Sequence, residues 1–133
     1  MNPISASLED YLEAIFVLKQ GDQTVRMTDV ADYLNVSKPS VNRAVGNLKD
    51  AGLLAHESYG TIELTPKGET YAAKILYRHK LIKRFLTDNL GVEEEIAQKD
   101  ACEMEHVMSP QTIQLLFEYL EKNTMGGDSN ENI

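Results

Sequence analysis

Residues 27–50, MTDVADYLNVSKPSVNRAVGNLKD, contain two short helical patterns separated by a tight turn. The first pattern covers residues 27–34, where apolar residues recur at helical intervals, and residues 35–36 form the turn. Ser37 is an N-cap for the second helix, and Pro39 suits its first turn because a missing N–H costs little there. This arrangement predicts a helix-turn-helix, whose second helix enters the major groove of DNA.

The second helix is amphipathic, so its polar side chains are candidates for contacts with DNA. Val41, Val45 and Leu48 recur at helical spacing and are predicted to face the core. We expect Asn42 and Arg43 to reach base edges, because amide and guanidinium groups pair with bases in the major groove. The candidate DNA-binding residues are Ser37, Lys38, Pro39, Ser40, Asn42 and Arg43.

The segments on either side of this motif predict the rest of a winged helix. Residues 5–20 have the apolar spacing of an amphipathic helix, with Ser7 and Asp10 resembling a capping box. After the motif, residues 53–57 and 61–64 flank a glycine-containing turn, which predicts a β-hairpin. A hairpin directly after a recognition helix is a wing.

Helices are predicted for the remainder of the chain. A long helix begins after Thr65 and runs to about Asn89, and further helices cover about 92–108 and the residues after Pro110. We therefore predict a mainly α fold, with an N-terminal winged helix-turn-helix of three helices plus a β-hairpin wing. A long helix joins it to a second, helical domain. The predicted boundaries are 1–72 for the winged helix-turn-helix domain, 73–123 for the helical domain, and 124–133 for a disordered tail.

Charge is distributed unevenly along the chain, whose net charge is −8. Residues 66–84 contain six basic residues against one acid, and residues 88–105 contain seven acids against one base. One part can therefore attract an anion while the other attracts a cation. No apolar run approaches the roughly 18 residues that span a membrane, and the N-terminus lacks a signal pattern. We predict a cytoplasmic protein without a membrane partner.

Residues 102–106, CEMEH, place the only cysteine beside two carboxylates and a histidine. On a helix Cys102, Glu105 and His106 would share a face, and a thiolate, a carboxylate and an imidazole suit a divalent transition metal. Each also has a structural explanation, as a buried thiol, a solvated carboxylate and a hydrogen-bonded histidine. His79 falls on the apolar line of the long helix, where a core histidine bonded to a neighbour is the simplest interpretation.

Four motifs resemble the diphtheria toxin repressor family of bacterial metal-activated transcriptional repressors. They are DYLEAIF at 10–16, the helix-turn-helix at 29–41, YRHKL at 77–81 and ACEMEHVMS at 101–109. The resemblance covers about residues 5–122 and leaves no room for a third, SH3-like domain, so the chain is similar to the short manganese transport regulator branch. It implies that residues 1–72 are a winged-helix DNA-binding domain, that residues 73–123 are a helical metal-binding and dimerisation domain, and that a metal ion is the effector. The implied metal ligands are Asp10, Glu13, His79, Cys102, Glu105 and His106.

Two ligand positions combine features of different branches of the family. The manganese branch usually has Glu at position 102 and Asp at position 10, whereas the iron branch has Cys and Met. This chain has Asp10 together with Cys102. Oxygen donors suit Mn(II), and a thiolate raises affinity for Fe(II), Co(II) and Zn(II). We expect Mn(II) or Fe(II) as the effector, with Zn(II), Co(II) or Cd(II) binding in vitro.

The predicted function is a homodimeric, metal-activated repressor of metal-ion uptake that binds a palindromic double-stranded DNA operator. One alternative is a winged-helix regulator that senses a small organic ligand without metal, whose DNA binding would be indifferent to chelators. A metallohydrolase is disfavoured because the chain has no His-Glu-x-x-His or nucleophile motif, so we expect no enzymatic activity. A metal-storage protein would not need the helix-turn-helix.

Overall fold

The computed structural model describes residues 4–20, 23–55 and 60–130, with 124–130 described by their backbone alone. The chain divides into two compact units, residues 1–76 and 77–133. The elements in chain order are α1 (Ala6–Leu18), β1 (Val25–Arg26), α2 (Met27–Leu34), α3 (Lys38–Asp50), β2 (Thr61–Ile62), α4 (Pro66–Arg84), a π-helical turn (Phe85–Asn89), α5 (Glu94–Met104) and α6 (Pro110–Asn130). Within the described ranges no helix is long and apolar enough to cross a membrane.

The helix-turn-helix has the predicted boundaries, because its turn is determined by local chemistry. Asn35 ends α2 in the left-handed conformation with φ of 57°, which asparagine tolerates better than most residues. Ser37 then begins α3, and its Oγ accepts a hydrogen bond from the Ser40 amide at 3.2 Å. These two residues set where the second helix starts, and the predicted cap at Ser37 is confirmed.

The cap of the first helix differs from the prediction, and the second helix begins with a carboxylate that accepts a backbone hydrogen bond. Ser5 caps α1 by accepting a hydrogen bond from the Leu8 amide at 3.2 Å, so Ser7 lies inside the helix. At the start of α2 the Asp29 carboxylate accepts a hydrogen bond from the Arg26 amide at 2.9 Å. Both arrangements satisfy backbone N–H groups that a helix start leaves without partners.

The wing contains a strand pair that the sequence did not indicate. β1 pairs antiparallel with β2, and Val25 lies opposite Ile62. Within the described residues, the segment that we predicted to pair with β2 forms a bridge between Leu54 and Leu64. A strand of two residues is too short to show an alternating pattern, so β1 could not be recognised. Residues 56–59 of the predicted hairpin lie outside the described residues.

Each unit has its own hydrophobic core. In the first, α1 contributes Leu12 and Ile15, which are almost completely buried, so this helix is built into the winged helix. In the second, an aromatic pair joins α4 to α6, with the Tyr77 and Phe117 ring centroids 6.1 Å apart. Partial burial and the Glu121 carboxylate raise the pKa of Tyr77 above its ordinary 10.0. The core of the second unit consists of Leu81, Ile82, Leu86, Ala97, Ala101, Ile113 and Leu120.

The helices of the second unit match the prediction in part. The long helix changes to π-helical geometry at Phe85 and continues as the π-helical turn to Asn89, where we predicted its end. α5 ends at Met104 rather than near residue 108, because the Val107 and Met108 amides both bond to the Met104 carbonyl in a tightened turn. α6 continues to Asn130, past residue 124 where we predicted a disordered tail.

Candidate metal centre

A buried carboxylate lies between two imidazoles in the second unit. The Glu105 side chain has no exposed surface, His79 Nδ1 lies 3.0 Å from its Oε1, and His106 Nε2 lies 3.5 Å from its Oε2. The two imidazoles are themselves only 7% and 8% exposed. Burying a carboxylate is costly unless neighbouring groups compensate its charge. His79 lies at hydrogen-bonding distance from Oε1, whereas His106 approaches Oε2 less closely.

The helices position these side chains by ordinary packing. Ile75 and Ile82 are fully buried on α4. His79 lies four residues after Ile75 and three residues before Ile82, so it faces the same core. The Glu105 amide continues the α5 ladder by donating to the Ala101 carbonyl at 3.0 Å. Glu105 therefore follows Ala101 on the buried face. This last backbone hydrogen bond of α5 places Glu105 inside the protein. Helical spacing alone predicts only that Glu105 and His106 share a face.

Arg78 is a site residue that sequence reasoning missed. Its Nε donates a hydrogen bond at 3.2 Å to the Glu105 carbonyl oxygen. The last carbonyl groups of a helix have no partner within the helix, and basic side chains often satisfy them. Arg78 thus holds the chain where α5 ends and where Glu105 turns towards His79. Its place beside His79 in the sequence was the signal that could have identified it.

The residues in this cluster fit a divalent transition metal ion. Glu105 Oε2 is buried and forms no hydrogen bond within the part of the chain that the structure describes. A buried acceptor without a hydrogen bond requires an explanation, and a bound cation is one. Cys102 lies one turn earlier in α5 and carries a partly buried thiol. Carboxylate, imidazole and thiolate donors together favour Mn, Fe, Co or Zn over the all-oxygen sites of Ca and Mg.

The remaining candidate ligands lie in the first unit. Asp10 and Glu13 are three residues apart on α1, and both are partly buried. The structure therefore brings His79, Glu105 and His106 together within the second unit. It places Cys102 on the preceding turn and the two remaining carboxylates on the first helix. The assignment of all six as metal ligands stays a prediction.

The recognition helix presents the predicted polar face. Val41, Val45 and Leu48 are buried, as their spacing predicted. Of the candidate DNA-binding residues, only Ser40 is half-buried, and its Oγ accepts a hydrogen bond from the Ser37 hydroxyl at 2.9 Å. The exposed candidates are Ser37, Lys38, Pro39, Asn42 and Arg43. Their contacts with DNA stay predictions, but their exposure makes those contacts accessible.

Two domains of one known protein family match the two halves of the chain. Residues 3–62 match the N-terminal DNA binding domain of the iron dependent repressor, and residues 65–130 match its metal binding and dimerisation domain. The alternative of a regulator that senses an organic ligand without metal is therefore not supported. The second match concerns the part of the chain that contains the Glu105 cluster.

Individual relatives agree with this family. The chain is 38% identical over 120 residues to an uncharacterised HTH-type transcriptional regulator of Methanocaldococcus jannaschii, covering 90% of this chain and 96% of the relative. It is 37% identical over 103 residues to the HTH-type transcriptional regulator MntR of Geobacillus kaustophilus, covering 77% and 72%.

Solved structures show the same architecture. The manganese regulator SloR superposes with a TM-score of 0.78 at 28% identity, covering 91% of this chain and 55% of that one. The chain spans about half the length of SloR and of several other solved regulators that share this architecture. Sequence and fold agree: the chain belongs to the iron-dependent repressor family of metal-dependent, DNA-binding transcriptional regulators.

Proposed function

We propose that this protein represses genes for metal-ion uptake, in the cytoplasm, by binding operator DNA in response to Mn(II) or Fe(II). The observation that carries the proposal is the buried Glu105 carboxylate between His79 and His106. It lies in a chain whose other unit is a winged helix-turn-helix with an exposed recognition face. A buried donor set in one unit and a DNA-reading surface in the other are the two parts that such a switch needs.

The proposed ligands are Asp10, Glu13, His79, Cys102, Glu105 and His106. A divalent ion bound by these donors would neutralise the charge of their carboxylates. The carboxylates favour Mn(II), whereas the Cys102 thiolate favours Fe(II), Co(II) and Zn(II). We therefore propose Mn(II) or Fe(II) as the effector, and expect Zn(II), Co(II) and Cd(II) to bind in vitro.

The proposed DNA target is a palindromic operator read by a homodimer. In a twofold dimer the two recognition helices must enter major grooves about 34 Å apart, or a multiple of that distance. Asn42 and Arg43 are proposed to read bases, and Lys38 is proposed to contact phosphate. If metal selects the geometry that fits DNA, DNA must tighten metal binding by the same factor.

The experiment compares Glu105→Gln with Glu103→Gln in a DNA mobility-shift assay, with and without Mn(II) and with a chelator. Both substitutions remove one carboxylate charge and keep the side-chain shape, but Glu105 is buried and Glu103 is exposed. We expect metal-dependent DNA binding in the wild type and in Glu103→Gln. Glu105→Gln should need much more metal for the same shift, because it loses an anionic donor.

The assay is repeated under anaerobic conditions with Fe(II), so that the effector proposal has its own test. Calorimetry on the same proteins measures metal affinity without DNA. DNA binding that ignores metal and chelator would contradict the proposed function. Equal metal affinity in Glu105→Gln and Glu103→Gln would remove the buried carboxylate from the ligand set.

A further inference from the structure

A second buried carboxylate, outside the Glu105 cluster, joins two helices of the first unit. Glu9 on α1 is only 3% exposed, although it carries a carboxylate. The hydroxyl of Tyr71 on α4 donates a hydrogen bond to Glu9 Oε2 at 2.8 Å. The two residues are 62 positions apart in the chain, so this bond fixes a long-range contact. Neither residue belongs to the proposed ligand set or to the DNA-binding face.

Glu9 occupies a special place relative to the proposed ligands of α1. It immediately precedes Asp10, and it lies one turn before Glu13 on the same face of the helix. Leu12 and Ile15 bury α1 in the core, but apolar contacts are not directional. A hydrogen bond to a buried acceptor is directional, so it restricts how far the helix can rotate about its own axis.

The ion pair between Lys19, the C-cap residue of α1, and Glu69 of α4 is less suited to this task. Lys19 Nζ lies 2.8 Å from Glu69 Oε2, but the two side chains are 43% and 46% exposed. Solvent and salt weaken such a pair, and its long side chains allow several geometries. The Glu9–Tyr71 bond is partly buried, its acceptor residue Glu9 is only 3% exposed, and it lies at the ligand-bearing end of α1. It is therefore better placed to define the orientation of that end.

We propose that Glu9 and Tyr71 are a positioning pair that orients Asp10 and Glu13 for metal binding. This inference rests on the proposed function, which assigns those two carboxylates as ligands. Glu9 itself is not a ligand in this proposal: it acts through the hydrogen bond with Tyr71. An acceptor oxygen at position 9, rather than a negative charge, is what the pair requires.

The experiment removes the hydrogen bond from each side and then restores it. Tyr71→Phe removes the donor and keeps the ring, and Glu9→Met removes the acceptor and keeps the length. Glu9→Gln retains an amide oxygen that can accept from Tyr71. Tyr33→Phe, on α2, is the control because it makes the same chemical change at a side chain that is 54% exposed.

Mn(II) affinity is measured by calorimetry, the visible spectrum of bound Co(II) reports coordination, and circular dichroism verifies folding. Losing a residue that orients ligands typically costs 10- to 100-fold in metal affinity, so we expect about tenfold for Tyr71→Phe and for Glu9→Met. Their double variant should bind no more weakly than either single one. Glu9→Gln and Tyr33→Phe should bind like the wild type, and the Co(II) spectrum should change only where affinity falls.

Each outcome decides one question. Wild-type affinity and an unchanged Co(II) spectrum in Tyr71→Phe and Glu9→Met overturn the positioning pair. An equal loss in Glu9→Gln and Glu9→Met also overturns it, because charge and not the hydrogen bond would then matter. If one variant fails to fold, the other tests the same bond. If the wild type binds neither Mn(II) nor Co(II), the proposed function is refuted. If the wild type binds both ions and only Glu105→Gln weakens that binding, this inference alone is refuted.

Discussion

The start of α4 approaches the chain after α3 so closely that only glycine fits at position 68. A Cβ atom on Gly68 would overlap the carbonyl oxygen of Leu53. It would also lie 3.0 Å from the Leu53 carbonyl carbon and 3.2 Å from Leu64 Cδ2. Leu53 contributes backbone atoms, and its oxygen accepts a hydrogen bond from the Thr65 amide at 3.1 Å. Because a backbone carbonyl cannot rotate away as a side chain can, Gly68→Ala must displace the first turn of α4.

The expected loss of stability follows from these contacts. Overpacking a core site by one methyl group costs roughly 1–3 kcal/mol. Weakening the hydrogen bond between Thr65 and Leu53 adds about 1 kcal/mol, and the better helix propensity of alanine returns about 1 kcal/mol. We therefore expect Gly68→Ala to lower the free energy of unfolding by roughly 1–3 kcal/mol. Gly46→Ala is the matched control, because a Cβ there meets no atom within 4 Å and should stabilise α3 by roughly 0.5–1 kcal/mol.

Urea unfolding followed by far-ultraviolet circular dichroism measures both variants against the wild type. A changed midpoint with an unchanged slope reports stability rather than a change in the unfolded state. Gly68→Ala should unfold at lower urea and Gly46→Ala at higher urea. A Gly68→Ala variant as stable as the wild type would refute the close approach between α4 and Leu53.

Asn35→Ala should destabilise the first unit by roughly 1 kcal/mol, whereas Asn35→Gly should be neutral or stabilising, because the backbone at position 35 has a φ of 57°. Thermal unfolding distinguishes the two variants, and equal stability would contradict backbone strain at this position. Arg43→Ala with saturating Mn(II) should lose both affinity and preference at one base pair, by roughly 1–3 kcal/mol, and unchanged operator binding would remove Arg43 from the base contacts. Cys102→Ser should lower affinity for Zn(II) and Co(II) more than for Mn(II), which competition titrations test; a uniform loss would argue against a thiolate ligand. Metal affinity should fall as pH is lowered from 7 to 5, because protons compete with the metal ion for the imidazoles and the thiol. Calorimetry across that range should also detect proton release, and a metal affinity that does not change with pH would contradict the ligand set.

The helix-turn-helix was predictable because its signals are local. The residues that end α2 and begin α3 are Asn35 and Ser37, and each acts through its own backbone conformation or its own hydroxyl. Apolar spacing then identified the buried face of α3. The bounds Met27–Leu34 therefore match the prediction residue for residue.

The long-range contacts were not predictable, because they leave no periodic signal. Tyr71 binds Glu9 from 62 residues away, and Arg78 binds the Glu105 carbonyl from 27 residues away. The sequence indicated that His79 faces the core, but not that its neighbour there is Glu105. In the candidate site, donor types could be assigned from residue chemistry and from the resemblance. The convergence of His79 and His106 on one carboxylate required the three-dimensional structure.

The end of α5 at Met104 has a consequence for how ions could be distinguished. Glu105 is the C-cap residue, and His106 follows it in the turn, so neither donor is held within the body of a helix. Donors at a helix terminus are restrained by fewer backbone hydrogen bonds than donors in the middle of a helix. If Glu105 and His106 bind the metal ion, their site would therefore be less rigid than one built on the body of a helix, apart from the restraint that Arg78 puts on the Glu105 carbonyl. Selectivity would then depend more on the hardness of oxygen against sulfur, and on which ion the cell supplies, than on the size of a rigid cage.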